Sequence, residues 1–109
     1  MQRTYKYFFT RGSLDVVAMS TAAQSLLGEH DFRNFCKIDP SVTNFRRSVL
    51  SVAVQPAVQQ ADHRDQPGSI WEFEVAGTAF LYHQVRCMVA VLFLVGEGKE
   101  NPSIVAELL

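Results

Sequence analysis

Cysteine is scarce: Cys36 and Cys87 are the only two in 109 residues. They form no CxxC pair and fit no zinc-ligand spacing, which excludes a disulfide-stapled scaffold and a structural zinc module. Both sit in apolar surroundings and are expected as buried, reduced thiols of a reducing compartment. Long apolar runs are missing too. The longest unbroken one, Cys87–Val95, covers nine residues, against about 20 for a membrane span. The N-terminal run is polar and strand-like, with no secretory signal. The expected location is therefore intracellular, nuclear or cytoplasmic, with no membrane partner. Repeats and low-complexity tracts are absent. Charge is modest at 19% of residues, with a net formal charge of −1.

What is present is a globular composition, 48% hydrophobic, at the length of a single small domain spanning 1–109. Charge is unevenly placed. Residues 1–47 carry Arg3, Lys6, Arg11, Arg33, Lys37, Arg46 and Arg47 against four acids, a balance of +3. The remainder carries Arg64, Arg86 and Lys99 against seven acids, a balance of −4. This asymmetry allows a phosphate-binding face on one side. On charge alone, ordinary solvated surface charge is the favoured explanation.

Alternation in RTYKYFF, with Tyr5, Tyr7 and Phe9 on one side, predicts a strand with an aromatic face. VVAMSTAAQSLL, residues 16–27, has helical spacing, with Asp15 as cap and Gly28 as stop. EHDFRNFC reads as a short turn of helix that exposes charge and buries Phe32 and Phe35. NFRRSVLSVAV and IWEFEVAGTAF read as two further strands. The polar stretch QPAVQQADHRDQPGS between them, with His63 and Arg64, reads as a surface loop. FLYHQVRCMVAVLFLVG, residues 80–96, reads as a helix ended by Gly96 and Gly98. In NPSIVAELL, Asn101 is a candidate cap and Pro102 suits a first helical turn. The expected fold is α+β: an antiparallel sheet of about three strands with helices packed on one face.

Arg86 stands out. At helical spacing it shares a face with Tyr82, His83, Ala90 and Phe93, in a helix otherwise apolar on nearly every side. A buried guanidinium requires a carboxylate, because desolvating an unpaired charge costs several kcal/mol. Glu74, Asp31 and Asp39 are possible partners, and no pattern singles one out. The alternative is an arginine whose stem lies along the helix while its head reaches water. For His83 the alternative is a histidine satisfied by a backbone carbonyl.

The ordered set RTYKYFF, AAQSLLGEHDFRNFC, NFRRSVLSV and FEVAGTAFLYHQVRCMVAVLFLVGEG resembles the C-terminal catalytic part of TruA-type tRNA pseudouridine synthases. It is most similar to the eukaryotic branch acting on the anticodon stem-loop, the pseudouridine-synthase-three type, at tRNA positions 38 and 39. The resemblance covers essentially the whole chain and implies part of the pseudouridine synthase fold. It places the family's active-site tyrosine on Tyr5, stacking on the target uracil and taking part in removal of the C5 proton. It places the late histidine-x-x-arginine motif on His83 and Arg86, whose arginine pairs with the catalytic aspartate. Arg47 matches a basic strand position near the RNA. Arg3, Lys6, Arg46 and His83 are further candidate RNA contacts, although plain solubility also accounts for the basic ones. His30, Asp31 and Phe32 match a segment of structural role.

The resemblance also implies the reaction. The N1–C1′ bond of uridine breaks, the base turns, and it rejoins through C5, with an aspartate in covalent catalysis and neither cofactor nor metal. The family's aspartate belongs to a glycine-arginine-threonine-aspartate motif upstream of the tyrosine strand, which these residues do not contain. The chain is therefore expected to be a C-terminal part of the catalytic domain, inactive alone. Its expected partners are tRNA and the N-terminal half bearing the aspartate, with a homodimer as a further possibility. The alternatives are a non-catalytic RNA-binding module and a structural or dimerisation remnant.

Overall fold

The structure, a computed structural model, describes residues 2–57 and 66–109. His63 and Arg64 of the expected surface loop lie outside the described residues. Strand β1 (Arg3–Thr10) leads into helix α1 (Val16–Gln24), a short strand β2 (Gly28–Asp31) and a 3₁₀ turn at Arg33–Phe35. Strands β3 (Arg46–Pro56) and β4 (Ile70–Gly77) follow, then helices α2 (Gln84–Gly96) and α3 (Ile104–Leu108). The four strands form one antiparallel sheet in the order β1-β4-β3-β2. The fold is α+β with the helices packed on one face, as expected, but the sheet has one strand more.

The extra strand comes from EHDFRNFC, expected as helix. Gly28 adopts φ 102°, a conformation that glycine enters without Cβ strain. α1 ends at Gln24 with Ser25 as its cap, and Gly28 opens β2, where His30 pairs Arg47 and Asp31 pairs Arg46. The helical turn is real but confined to the 3₁₀ segment. Phe32 and Phe35 are fully buried there, as the pattern predicted.

Local chemistry explains the other elements. Asp15 Oδ1 accepts from the Ala18 N–H at 3.0 Å and caps α1, while Met19, Ala22 and Ala23 face the core. Strand β3 contains a bulge between Val49 and Ser51. Val49 is buried and Leu50 is exposed, the ordinary alternation of neighbouring strand residues. At Gly77, opposite the bulge, an added Cβ would lie 2.7 Å from the Ser48 carbonyl oxygen. Only glycine allows β3 and β4 to approach this closely. Asn101 Oδ1 accepts from the Ser103 N–H at 3.0 Å, just ahead of α3.

Register assigns the two sheet faces. Tyr5 stands opposite Val75, Tyr7 opposite Phe73 and Phe9 opposite Trp71. This face meets the helices: Phe93 of α2 packs edge-on against both Tyr7 and Phe9. Phe73, Met19, Leu26, Met88 and Leu92 complete the core. Lys6, opposite Glu74, lies on the other face with Glu72.

Candidate active site beside the edge strand

The helix expected over 80–96 begins only at Gln84. A turn over Leu81–Gln84 comes first, and it is clamped twice. The Gln84 N–H donates to the Leu81 carbonyl at 3.0 Å, and the Leu81 N–H donates to Gln84 Oε1 at 2.8 Å. Gln84 is wholly buried, and its amide nitrogen has no acceptor among the described residues. Such a group costs about 1–3 kcal/mol, so the turn is held at some expense. Inside the turn, His83 takes φ 59°, the only positive value at a non-glycine among the described residues. Backbone strain of this kind clusters at functional positions. The Tyr82 carbonyl accepts from the Lys37 N–H at 3.0 Å, which ties the turn to the segment after the 3₁₀ helix.

This turn, β1 and the start of α2 enclose a hollow of about 330 Å³, with Arg3, Tyr5, Tyr82, His83 and Arg86 in its wall. Among the described residues no aspartate or glutamate lines it. Tyr5 is 41% exposed and is held edge-on by Phe80, with ring centroids 5.2 Å apart. Arg86 also borders an adjoining hollow of about 430 Å³ formed with Tyr7, Val89, Ala90 and Phe93.

Arg86 is not buried. The α2 surface is exposed along a stripe of Arg86, Ala90 and Leu94, while Met88, Val89, Leu92 and Val95 are buried. The helix is thus buried on most sides, as expected, and open along this one stripe. A chain of apolar residues four apart is left open beside β1, and water reaches the guanidinium, so no desolvation penalty demands a carboxylate. No ion pair to Arg86 occurs among the described residues, whereas Arg33, Arg46 and Lys99 each hold one and Lys6 holds two.

Of the residues singled out in the sequence, the structure gathers Arg3, Tyr5, His83 and Arg86 into one wall. Lys6 also borders the hollow, but its ammonium turns to the far face, 3.6 Å from Glu72 and 3.7 Å from Glu74. Glu72 is almost fully buried and also accepts from Gln55 Nε2 at 2.8 Å. Arg46 pairs with Glu29 at 3.3 Å. Arg47 donates from Nη1 to the carbonyls of Asn44 at 2.8 Å and Arg46 at 2.7 Å. Neither Arg46 nor Arg47 borders the hollow. Tyr82 and Gln84 do; the sequence reading placed Tyr82 on the Arg86 face without giving it a role, and passed over Gln84. Their signal was adjacency to the histidine-x-x-arginine motif, but the turn that presents them is invisible to helical periodicity.

The thiols are free and half-buried. Burial pushes Cys36 and Cys87 above the ordinary thiol range, and a neighbouring Cys87 adds to the shift at Cys36. The bonding Arg33 guanidinium holds Asp31 below the usual carboxylate range. Among the described residues no group of histidine, cysteine and carboxylate side chains could hold a metal ion, and no helix is long and apolar enough to cross a membrane.

A family model described as tRNA pseudouridine synthase matches residues 22–109. The tRNA pseudouridine(38/39) synthase of Bos taurus is 52% identical over 113 residues, covering 100% of this chain and 24% of its own length. The tRNA pseudouridine(38/39) synthase of Saccharomyces cerevisiae is 44% identical, covering 99% of this chain and 23% of its own. The tRNA pseudouridine synthase A of Shouchella clausii is 42% identical over 91 residues, covering 84% and 31%. The chain thus spans about a quarter of the length of its eukaryotic relatives. His83 and Arg86 lie inside the matched range, and Tyr5 inside the span shared with the bovine protein. With the motifs, the fold and these matches in agreement, the chain belongs to the TruA-type tRNA pseudouridine synthase family.

Proposed function

We propose that this chain forms the tyrosine- and arginine-bearing wall of a tRNA pseudouridine synthase site that isomerises uridine in the anticodon stem-loop, at positions 38 and 39. The single observation carrying this is the meeting of Tyr5 and Arg86 in one acid-free hollow, with Arg86 unpaired among the described residues. An ion pair would hold an incoming aspartate ionised and oriented, with its pKa lowered. Tyr5 offers an exposed ring to the extracted pyrimidine and a hydroxyl at its edge. The base must leave its stack at a cost of a few kcal/mol. A single-stranded loop keeps that cost low.

The aspartate comes from the N-terminal half of the catalytic domain, the partner this chain requires, and the reaction needs neither cofactor nor metal. The open stripe of α2 and the outer edge of β1 suit that partner, and a second copy is the alternative occupant. Arg3 and His83 flank the base. Arg46, Arg47 and Lys6 contact phosphates only after releasing their present partners. The site operates in an intracellular compartment, nuclear or cytoplasmic.

Tritium release from tRNA labelled at uridine C5 tests the proposal. The expected result is no turnover by this chain alone, and turnover once a polypeptide bearing the upstream aspartate motif is added. Turnover by the chain alone would place the nucleophile within it and overturn the assignment of Arg86. Salt-dependent tRNA binding weakened by Arg47→Glu, with no turnover in the complemented sample, would favour a binding module.

A further inference from the structure

We propose that Tyr82, stacked on His83, is a second base-stacking platform that receives the RNA nucleotide flanking the target uridine. This deepens the RNA-modifying reading above and rests on it. The Tyr82 and His83 rings lie 4.1 Å apart at an interplanar angle of 32°. Tyr82 is nonetheless 59% exposed. One ring face is supported and much of the remaining aromatic surface faces outward.

The support is built into the backbone. Gln84 clamps the turn from inside, the strained His83 orients its ring under Tyr82, and Lys37 pins the Tyr82 carbonyl. A platform ordered in advance binds without first losing rotamer entropy.

Its position selects the ligand. Tyr82 and Tyr5 border the same hollow, with Arg3 and Arg86 beside them and no acid in the lining. Two aromatic surfaces among cations fit consecutive bases of a single strand and their phosphates. An apolar protein segment would gain nothing from Arg3, the cation left over once Arg86 takes the incoming aspartate. Tyr5 takes the extracted uracil, so Tyr82 takes its neighbour.

The test titrates the 109-residue chain, as it stands, with an end-labelled anticodon stem-loop RNA. Tyr82→Ala is expected to weaken binding about tenfold, the size of one lost base stack, while Tyr82→Phe stays within about twofold of the parent. The salt dependence of binding is expected to stay unchanged in Tyr82→Ala, because no phosphate contact is lost. Moving one abasic nucleotide through the loop should find a position beside the target that weakens the parent by the same factor. That position should have no further effect on Tyr82→Ala. Thermal melting followed by circular dichroism shows whether the variants remain folded.

Tyr82→Ala binding like the parent overturns the platform, and so does Tyr82→Phe failing alongside it, which would assign the contact to the hydroxyl. If every abasic position weakens both proteins alike, the platform is also overturned. If the parent chain, complemented with the aspartate-bearing half, neither binds nor turns over the RNA, the underlying RNA reading falls with it.

Discussion

Tyr5 and Arg86 meet across a gap between a strand and a helix 81 positions apart in the chain. Each is positioned differently. Tyr5 is buttressed edge-on by Phe80, whereas Arg86 projects from α2 without a described partner. In the complemented enzyme, Arg86→Lys keeps the charge but loses the planar fork that grips a carboxylate. Turnover is expected to fall by about a hundredfold or more, the effect typical of a lost preorganised contact, with tRNA affinity changing far less. Single-turnover kinetics would check this, and an unchanged rate would remove Arg86 from the chemistry. The thiols give a second test. Burial raises the pKa of Cys36 and Cys87, so the fold favours the protonated form. That stabilisation is full below the ordinary thiol pKa and is lost as pH rises through the raised one. Iodoacetamide at mildly alkaline pH should therefore label the native chain more slowly than the urea-unfolded chain, as mass spectrometry would show.

The strands and helices that frame the hollow depend on a few local devices. Asp15→Ala removes the α1 cap and is expected to cost about 1 kcal/mol, with Asp15→Ser recovering most of it. Urea unfolding measures both. Gly77→Ala pushes a Cβ against the Ser48 carbonyl, so the bulged β3–β4 junction must shift. A loss of about 2 kcal/mol is expected, in the upper range for point substitutions. Thermal melting would register it, and an unchanged midpoint would show that the bulge yields easily. These elements were partly legible in the residues. The alternation of RTYKYFF, the cap at Asp15 and the run NFRRSVLSVAV marked β1, α1 and β3, though not its bulge. The start of α2 was not legible, because periodicity continues through 80–83 while the Gln84 clamp and the strained His83 divert the backbone.

Taken as one unit, the chain is a four-stranded sheet open along β1 and along the α2 stripe. Edge strands with exposed Tyr5, Tyr7 and Phe8 invite pairing with another chain. Adding the aspartate-bearing half should protect β1 amides from hydrogen exchange and raise the melting midpoint. A partner that binds without protecting β1 would place the contact elsewhere.

The amino-acid order alone specified the α+β class, the strand-like aromatic run and the motif linking His83 to Arg86, because periodicity and caps act between near neighbours. It left open whether Arg86 is buried or reaches water along its stem. Which side of α2 meets the sheet depends on how Phe93, Met88 and Leu92 pack against strands distant in sequence. Tertiary packing alone decided that Arg86 faces water beside Tyr5, that Lys6 turns away to Glu72, and that Tyr82 is carried outward on His83. Side-chain direction across a strand–helix gap is set by contacts that local sequence does not contain.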